Sequence, residues 1–277
     1  KSMKTSGAET LSISANIFVG QTEAPILIRP YIKNMTTSEL MAIMTGGFAT
    51  VAGSVLALYV LWLEKIPGIA GHMLAASIMS APASLVIAKL IYPETEKTNS
   101  LDELNLHIEK NTTNAMDALG NGATQGLKLA ANIGAMLIAF ISILSMINFT
   151  LEHFLNINLQ EILGMIFSPL AWTMGIPWKE ANIVGRLMGE KIVLTELIAY
   201  GSLGDLINNN LISERSAIIS SYALCGFANF GSIGIQLGGI GAMAPEKRNI
   251  LSKIVLKAMV GGALASWLTA TIAGILI

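Results

Sequence analysis

Charge is scarce in this chain. Charged side chains make up 13% of its 277 residues, about half the share of an average soluble domain. A water-soluble globule of this length needs more charge to cover its surface. A basic excess is also missing: 17 Lys and Arg face 18 Asp and Glu, for a net charge of −1. That balance excludes a nucleic-acid-binding surface. The apolar share of 53% excludes intrinsic disorder. One cysteine, Cys225, leaves no disulfide framework and no thiolate metal site. The three histidines, His72, His107 and His153, lack ligand spacing and a nearby nucleophile. There is no Walker motif, no dinucleotide-binding fingerprint and no Ser/His/Asp pattern.

What is present is apolar length. Mean hydropathy is +0.62. Five runs are free of charge: Leu40 to Leu63, Ile66 to Ala88, Leu129 to Leu151, Ser216 to Pro245 and Ala258 to Ile277. Each reaches the ~20 residues that cross a hydrocarbon core. Ile162 to Trp178 is shorter and carries two prolines, so it either spans or lies in the interface. The fold class expected is an all-α polytopic membrane protein. Two shorter apolar stretches, Thr10 to Thr22 and Leu197 to Leu203, end in turn signals and suit re-entrant hairpins buried against protein. One long polar loop, Pro93 to Lys110, separates two groups of spans. The chain begins at Lys1, within what reads as a helix, and further N-terminal spans are expected ahead of it.

An internal repeat is visible at a shift of 179 residues. Asn16 to Gly20 falls on Thr195 to Ala199, Leu27-Ile28 on Leu206-Ile207, and Gly47-Phe48-Ala49 on the identical triplet Gly226-Phe227-Ala228. Each half reads as a short apolar piece with a polar tip, a second segment, and a span broken by glycine. The breaks are expected at Thr45 to Gly53 and at Cys225 to Gly234. Paired glycine-interrupted segments point to a transporter's midplane site. The divisions that follow are 1–64 (first hairpin and broken helix), 65–92 (a span), 93–127 (polar loop and interfacial helix), 128–178 (scaffold span and interfacial helix), 179–249 (second hairpin and broken helix) and 250–277 (last span).

Several polar residues sit where apolar ones are expected. A carboxylate at bilayer depth costs about 2.5–3.5 kcal/mol on insertion scales, so Glu23 needs a wet cavity, a partner or a substrate. Gln21 and Thr22 beside it add an amide and a hydroxyl. We read Gln21-Thr22-Glu23 as a hairpin tip gripping a polar ring edge, ahead of a capped surface turn. Glu196 is the second anomaly. It suits the hydroxyl pair of a vicinal diol, and it equally suits a salt bridge to Lys191 or Arg186. Asn229 and Ser232, three apart, share a helix face beside Phe227. They offer hydrogen bonds to a ligand or between helices. Gly262, Ser266, Ala270 and Gly274 recur every four residues and read as a packing ridge.

Gly20-Gln-Thr-Glu-Ala-Pro-Ile-Leu-Ile-Arg-Pro-Tyr31, with Met35-Thr36 and Ser38-Glu39-Leu40 behind it, resembles the concentrative nucleoside transporter family. So do Tyr92-Pro-Glu-Thr-Glu96, Ala131-Asn-Ile-Gly-Ala-Met-Leu-Ile-Ala-Phe140, Gly175-Ile-Pro-Trp178 with Glu180-Ala181, and Ala223-Leu-Cys-Gly-Phe-Ala-Asn229 with Ser232. The likeness covers almost the whole chain. It implies a cell-membrane symporter of inverted repeats, with two re-entrant hairpins and two broken helices in a mobile transport domain, assembled as a homotrimer. It implies that Gln21, Thr22, Glu23 and Val55 bind the base of a nucleoside. Glu196, Asn229 and Ser232 would bind the ribose, with Phe227 lining the pocket. It implies a Na+ site at Asn16, Val19, Thr50 and Val51, and no organic cofactor. Thr195 stands where many members have Asn, Thr50 where some have Ser, and Gly231 where Ser is common. Proton coupling stays open beside sodium. A passive pore and an intramembrane enzyme using Glu23 and Glu196 as an acid/base pair are the competing classes. The enzyme would lack a nucleophile or metal.

Overall fold

A computed structural model describes residues 5–96 and 114–277. Every regular element among them is helical. Most of the polar loop expected from Pro93 to Lys110 lies outside the described residues.

The first half opens with α1 (Gly7–Ala15). Ser6 and Glu9 form a reciprocal capping box that starts it. The chain reverses through a non-helical tip and returns as two short helices, α2 (Glu23–Leu27) and α3 (Arg29–Ile32). Next come α4 (Thr37–Ala49) and α5 (Gly53–Trp62), the two pieces of a broken helix, and α6 (Ile69–Ile91). The motif Thr36-x-x-Glu39 is a second capping box: Thr36 accepts from the Glu39 amide, and Glu39 from the Thr36 amide. The first hairpin is fastened along its length. Lys89 of α6 pairs with the buried Glu9 at 2.6 Å and donates to Ser38 at 3.0 Å. Ser77 Oγ donates to the Ile17 carbonyl, 3.1 Å away. The Gly53 amide donates to the Phe18 carbonyl at 2.9 Å.

The second half follows α7 (Ala115–Leu155) and α8 (Leu159–Thr173). The division drawn at 127/128 falls inside α7, which is one continuous helix. The stretch from Ile162 lies mostly in α8. At about 1.5 Å per residue this 15-residue helix is about 22 Å long, short of a ~30 Å core. It packs against α9 (Trp178–Val193) at a close backbone approach of Gly164 to Arg186. α9 and α10 (Glu196–Asn208) make the second hairpin. α11 (Glu214–Leu224) and α12 (Phe230–Met243) make the second broken helix, and α13 (Arg248–Leu276) ends the chain. Hairpin, broken helix and long helix thus recur in the same order, as the repeat predicts. Among the described residues, 37–62, 69–91 and 245–276 are long and apolar enough to cross a membrane.

The gapless register is wrong in one place. Gly47-Phe48-Ala49 lies in the last turn of α4, and the first break falls after it, at Thr50 to Ala52. Gly226-Phe227-Ala228 lies inside the second break. The helix caps Thr36 and Ser213 are 177 apart, so the identical triplets are not structural equivalents. Gly47 serves close packing instead. A Cβ there would stand 2.7 Å from Gln236 Nε2. Gly226 does unwind a helix, with φ of 104°. A Cβ on it would meet the Phe48 carbonyl oxygen at 2.6 Å. The two broken helices therefore touch at the second break. The ridge on α13 packs there too. Gly262 lies against Phe48, and Ser266 Oγ donates to the Cys225 carbonyl.

Candidate functional site

A cavity of about 330 Å³ lies between the two hairpin tips. Thr22, Ala52, Thr195 and Asn229 all face it, and each is the cap residue just before a helix: α2, α5, α10 and α12. First-turn amides have no partner within their own helix, so helix starts present donors and a partial positive charge. Four such starts around one cavity favour carboxylates and acceptor atoms.

All eight residues expected to bind substrate line this cavity. Gln21, Thr22 and Glu23 come from the first tip and Val55 from α5. Glu196 begins α10, Phe227 and Asn229 stand in the second break, and Ser232 lies in the first turn of α12. Glu23 is exposed and accepts from Thr22 Oγ1 at 2.9 Å. Glu196 is buried, at 5% exposure. Tyr59 Oη donates to its Oε1 at 3.2 Å and Asn229 Nδ2 to its Oε2 at 2.8 Å. These two donors fix the carboxylate and leave lone pairs on both oxygens. The salt-bridge reading of Glu196 fails on geometry. Lys191 is wholly buried and donates to the Ala223 and Cys225 carbonyls at 3.1 and 3.0 Å. Arg186 faces Glu190.

Asn229 does not share a helix face with Ser232. It caps the helix, and its Oδ1 accepts from the Ser232 amide at 2.7 Å. Ser232 Oγ accepts in turn from Gln21 Nε2 at 3.1 Å. That bond joins the two repeat halves directly across the cavity.

The four residues of the expected cation site fall at the first tip and the first break. Asn16 caps the end of α1 and is fully buried, yet neither its Oδ1 nor its Nδ2 has a hydrogen-bond partner. Thr50 and Val51 are buried at the break. Thr50 Oγ1 donates to the Gly46 carbonyl at 2.9 Å, which leaves its lone pairs available. Val19 is 38% exposed, and its contribution would be a carbonyl. The bond from Gly53 to Phe18 holds tip and break together. An unpaired buried amide oxygen, a hydroxyl with free lone pairs and loop carbonyls are oxygen donors of the kind a hard cation takes.

The model of the Na+ dependent nucleoside transporter C-terminus matches residues 72–274. The chain belongs to this family. A nucleoside recognition model matches residues 1–65 of this transporter chain. It is 43% identical to nucleoside permease NupC of Helicobacter pylori, over 100% of this chain and 67% of that protein. It is 42% identical to sodium/nucleoside cotransporter 1 of Mus musculus, over 99% of this chain and 45% of that protein. Among solved structures it is similar to CNTnw in an inward-facing substrate-bound state, with 44% identity and a TM-score of 0.79. That match covers 98% of this chain and 65% of CNTnw. The chain is a multi-pass membrane protein of a transporter family, and the enzyme reading falls away.

Three residues that support this cavity without lining it are not among those expected from the sequence. Tyr59 orients Glu196 from the opposite repeat half and stacks on Tyr200, ring centroids 4.0 Å apart. A phenol in an otherwise apolar run was the available signal, since a buried hydroxyl requires a partner. Gln236, fully buried, donates from Nε2 to Gln21 Oε1 and to the Met44 carbonyl, both at 3.1 Å. Lys191, expected only as a salt-bridge partner of Glu196, instead holds the Ala223 and Cys225 carbonyls at the second break.

Proposed function

We propose that this chain forms the substrate-binding part of a secondary active transporter that imports nucleosides by sodium symport. Nucleoside fits the chemistry of the cavity. The second half offers a carboxylate already oriented by Tyr59 and Asn229, with lone pairs left for adjacent ribose hydroxyls. The first half offers an amide, a hydroxyl and the Glu23 carboxylate for the polar edge of a base, with Val55 for its face. The observation that carries the reading is the convergence of Gln21, Thr22, Glu23 and Val55 with Glu196, Phe227, Asn229 and Ser232 on one cavity. Sodium at Asn16, Val19, Thr50 and Val51 would satisfy the unpartnered Asn16 amide oxygen and join the tip to the break. Coupling follows if substrate and ion both favour the same closed tip.

Residues 1–64 and 179–249 would move together as a transport domain in an elevator-like cycle, within a homotrimer. Uptake of radiolabelled uridine into proteoliposomes tests the function. An inward Na+ gradient should concentrate uridine, and a proton gradient without Na+ should not. Accumulation driven by the proton gradient alone would reassign the ion. Equilibration without accumulation would indicate a passive pore.

A further inference from the structure

We infer that Gln236 is a positioning residue that turns the donor end of Gln21 toward the substrate, so that the site selects a base edge carrying an acceptor. This rests on the nucleoside reading above and deepens it.

The argument begins at an atom of fixed character. The Met44 carbonyl oxygen can only accept. The Gln236 terminus 3.1 Å from it must therefore be the NH2 group, whichever way the amide is drawn. The same terminus lies 3.1 Å from one end of the Gln21 amide. An NH2 group donates, so that end of Gln21 must be its oxygen. The other end of Gln21 is then NH2, and it reaches Ser232 Oγ at 3.1 Å in the cavity wall. An NH2 group has two hydrogens. One serves Ser232, and the second is free for a ligand. One backbone carbonyl, relayed through Gln236, thus decides which hydrogen-bonding character Gln21 presents.

Nothing else in the site requires this relay. Gln236 is fully buried and does not line the cavity. Its reach to Met44 depends on Gly47, whose missing side chain leaves room for the Gln236 amide. A buried amide held by a helix carbonyl has one favourable orientation, and a flip would set two carbonyl oxygens against each other.

The test uses the full chain in lipid nanodiscs with Na+ present, and three probes: uridine, pyrimidin-2-one riboside, which lacks the 4-oxygen, and pyrimidin-4-one riboside, which lacks the 2-oxygen. In the parent protein one of the two analogues should bind roughly ten-fold more weakly than uridine. In Gln236→Leu, Gln21 is free to flip and that ratio should fall to about two-fold or less. In Gln236→Glu, the hydroxyl of a protonated carboxyl replaces the NH2 group: it donates to the Met44 carbonyl and, with no second hydrogen to give, its oxygen accepts from Gln21 NH2. Gln21 then turns its oxygen to the cavity, and the discriminated analogue should bind as tightly as uridine or more tightly. A residue that merely packs would weaken all three probes together. Equal binding of all probes to the parent overturns the inference, as does an unchanged ratio in either variant that still binds uridine. If Leu fails to fold, the Glu variant decides. A parent protein that binds none of the probes fails the nucleoside reading itself.

Discussion

Glu196 and Tyr59 are where single atoms decide the outcome. A charge-assisted bond between carboxylate and hydroxyl is about twice as strong as a neutral one. With the ribose at Glu196 as proposed, removing one hydroxyl would leave a buried acceptor unpaired, at a cost of about 1–3 kcal/mol. The 2′- and 3′-deoxy nucleosides should therefore bind about ten-fold more weakly than ribosides in competition assays, and Glu196→Gln should flatten that difference. Tyr59→Phe keeps the stack on Tyr200 but frees one carboxylate oxygen, and should weaken riboside binding several-fold with little change in melting temperature. A Glu196→Gln protein that still discriminates sugars but changes its base preference would mean that the repeat halves hold opposite ends of the substrate. At this scale the sequence was readable wherever a residue contradicted its surroundings. Glu23 and Glu196 stand out as carboxylates among apolar neighbours. Gln236 does not, because its role depends on Met44 and Gln21, 192 and 215 residues away.

Helices were legible from length, charge-free runs and caps, and breaks were legible from glycine. Register was not. Small and apolar residues are too common in a membrane chain for three identities to fix an alignment, and Gly47 and Gly226 do different work. The difference is measurable. Gly226→Ala adds a Cβ at positive φ against the Phe48 and Ala49 backbone, which should cost at least about 2 kcal/mol. Its melting temperature should fall clearly. Gly71→Ala is the matched control. It lies inside α6 with open space around it, so alanine there should be neutral or stabilising by up to about 1 kcal/mol. Equal losses in both variants would mean that the contact of the second break with the end of α4 is not a fixed part of the fold. Lys191 belongs to this scale as well. Its ammonium caps the carbonyl end of α11, where a cation is favoured.

For the whole molecule, ion and fold are linked by mass action. A cation bound by the folded state alone, at a hundred times its Kd, stabilises by about 2.7 kcal/mol. Na+ should therefore raise the melting temperature relative to K+ at equal ionic strength, and Asn16→Ala should abolish that difference. A sodium effect that survives in Asn16→Ala would move the ion elsewhere. The first hairpin bears on how such a cation could act. It is pinned near its base by Glu9 and Lys89, and at its tip by Ser77 on Ile17 and Gly53 on Phe18. A loop held at both ends is a bracket and not a flap. Lifting this tip would break two backbone-directed hydrogen bonds, which fasten it to the start of α5 and to α6.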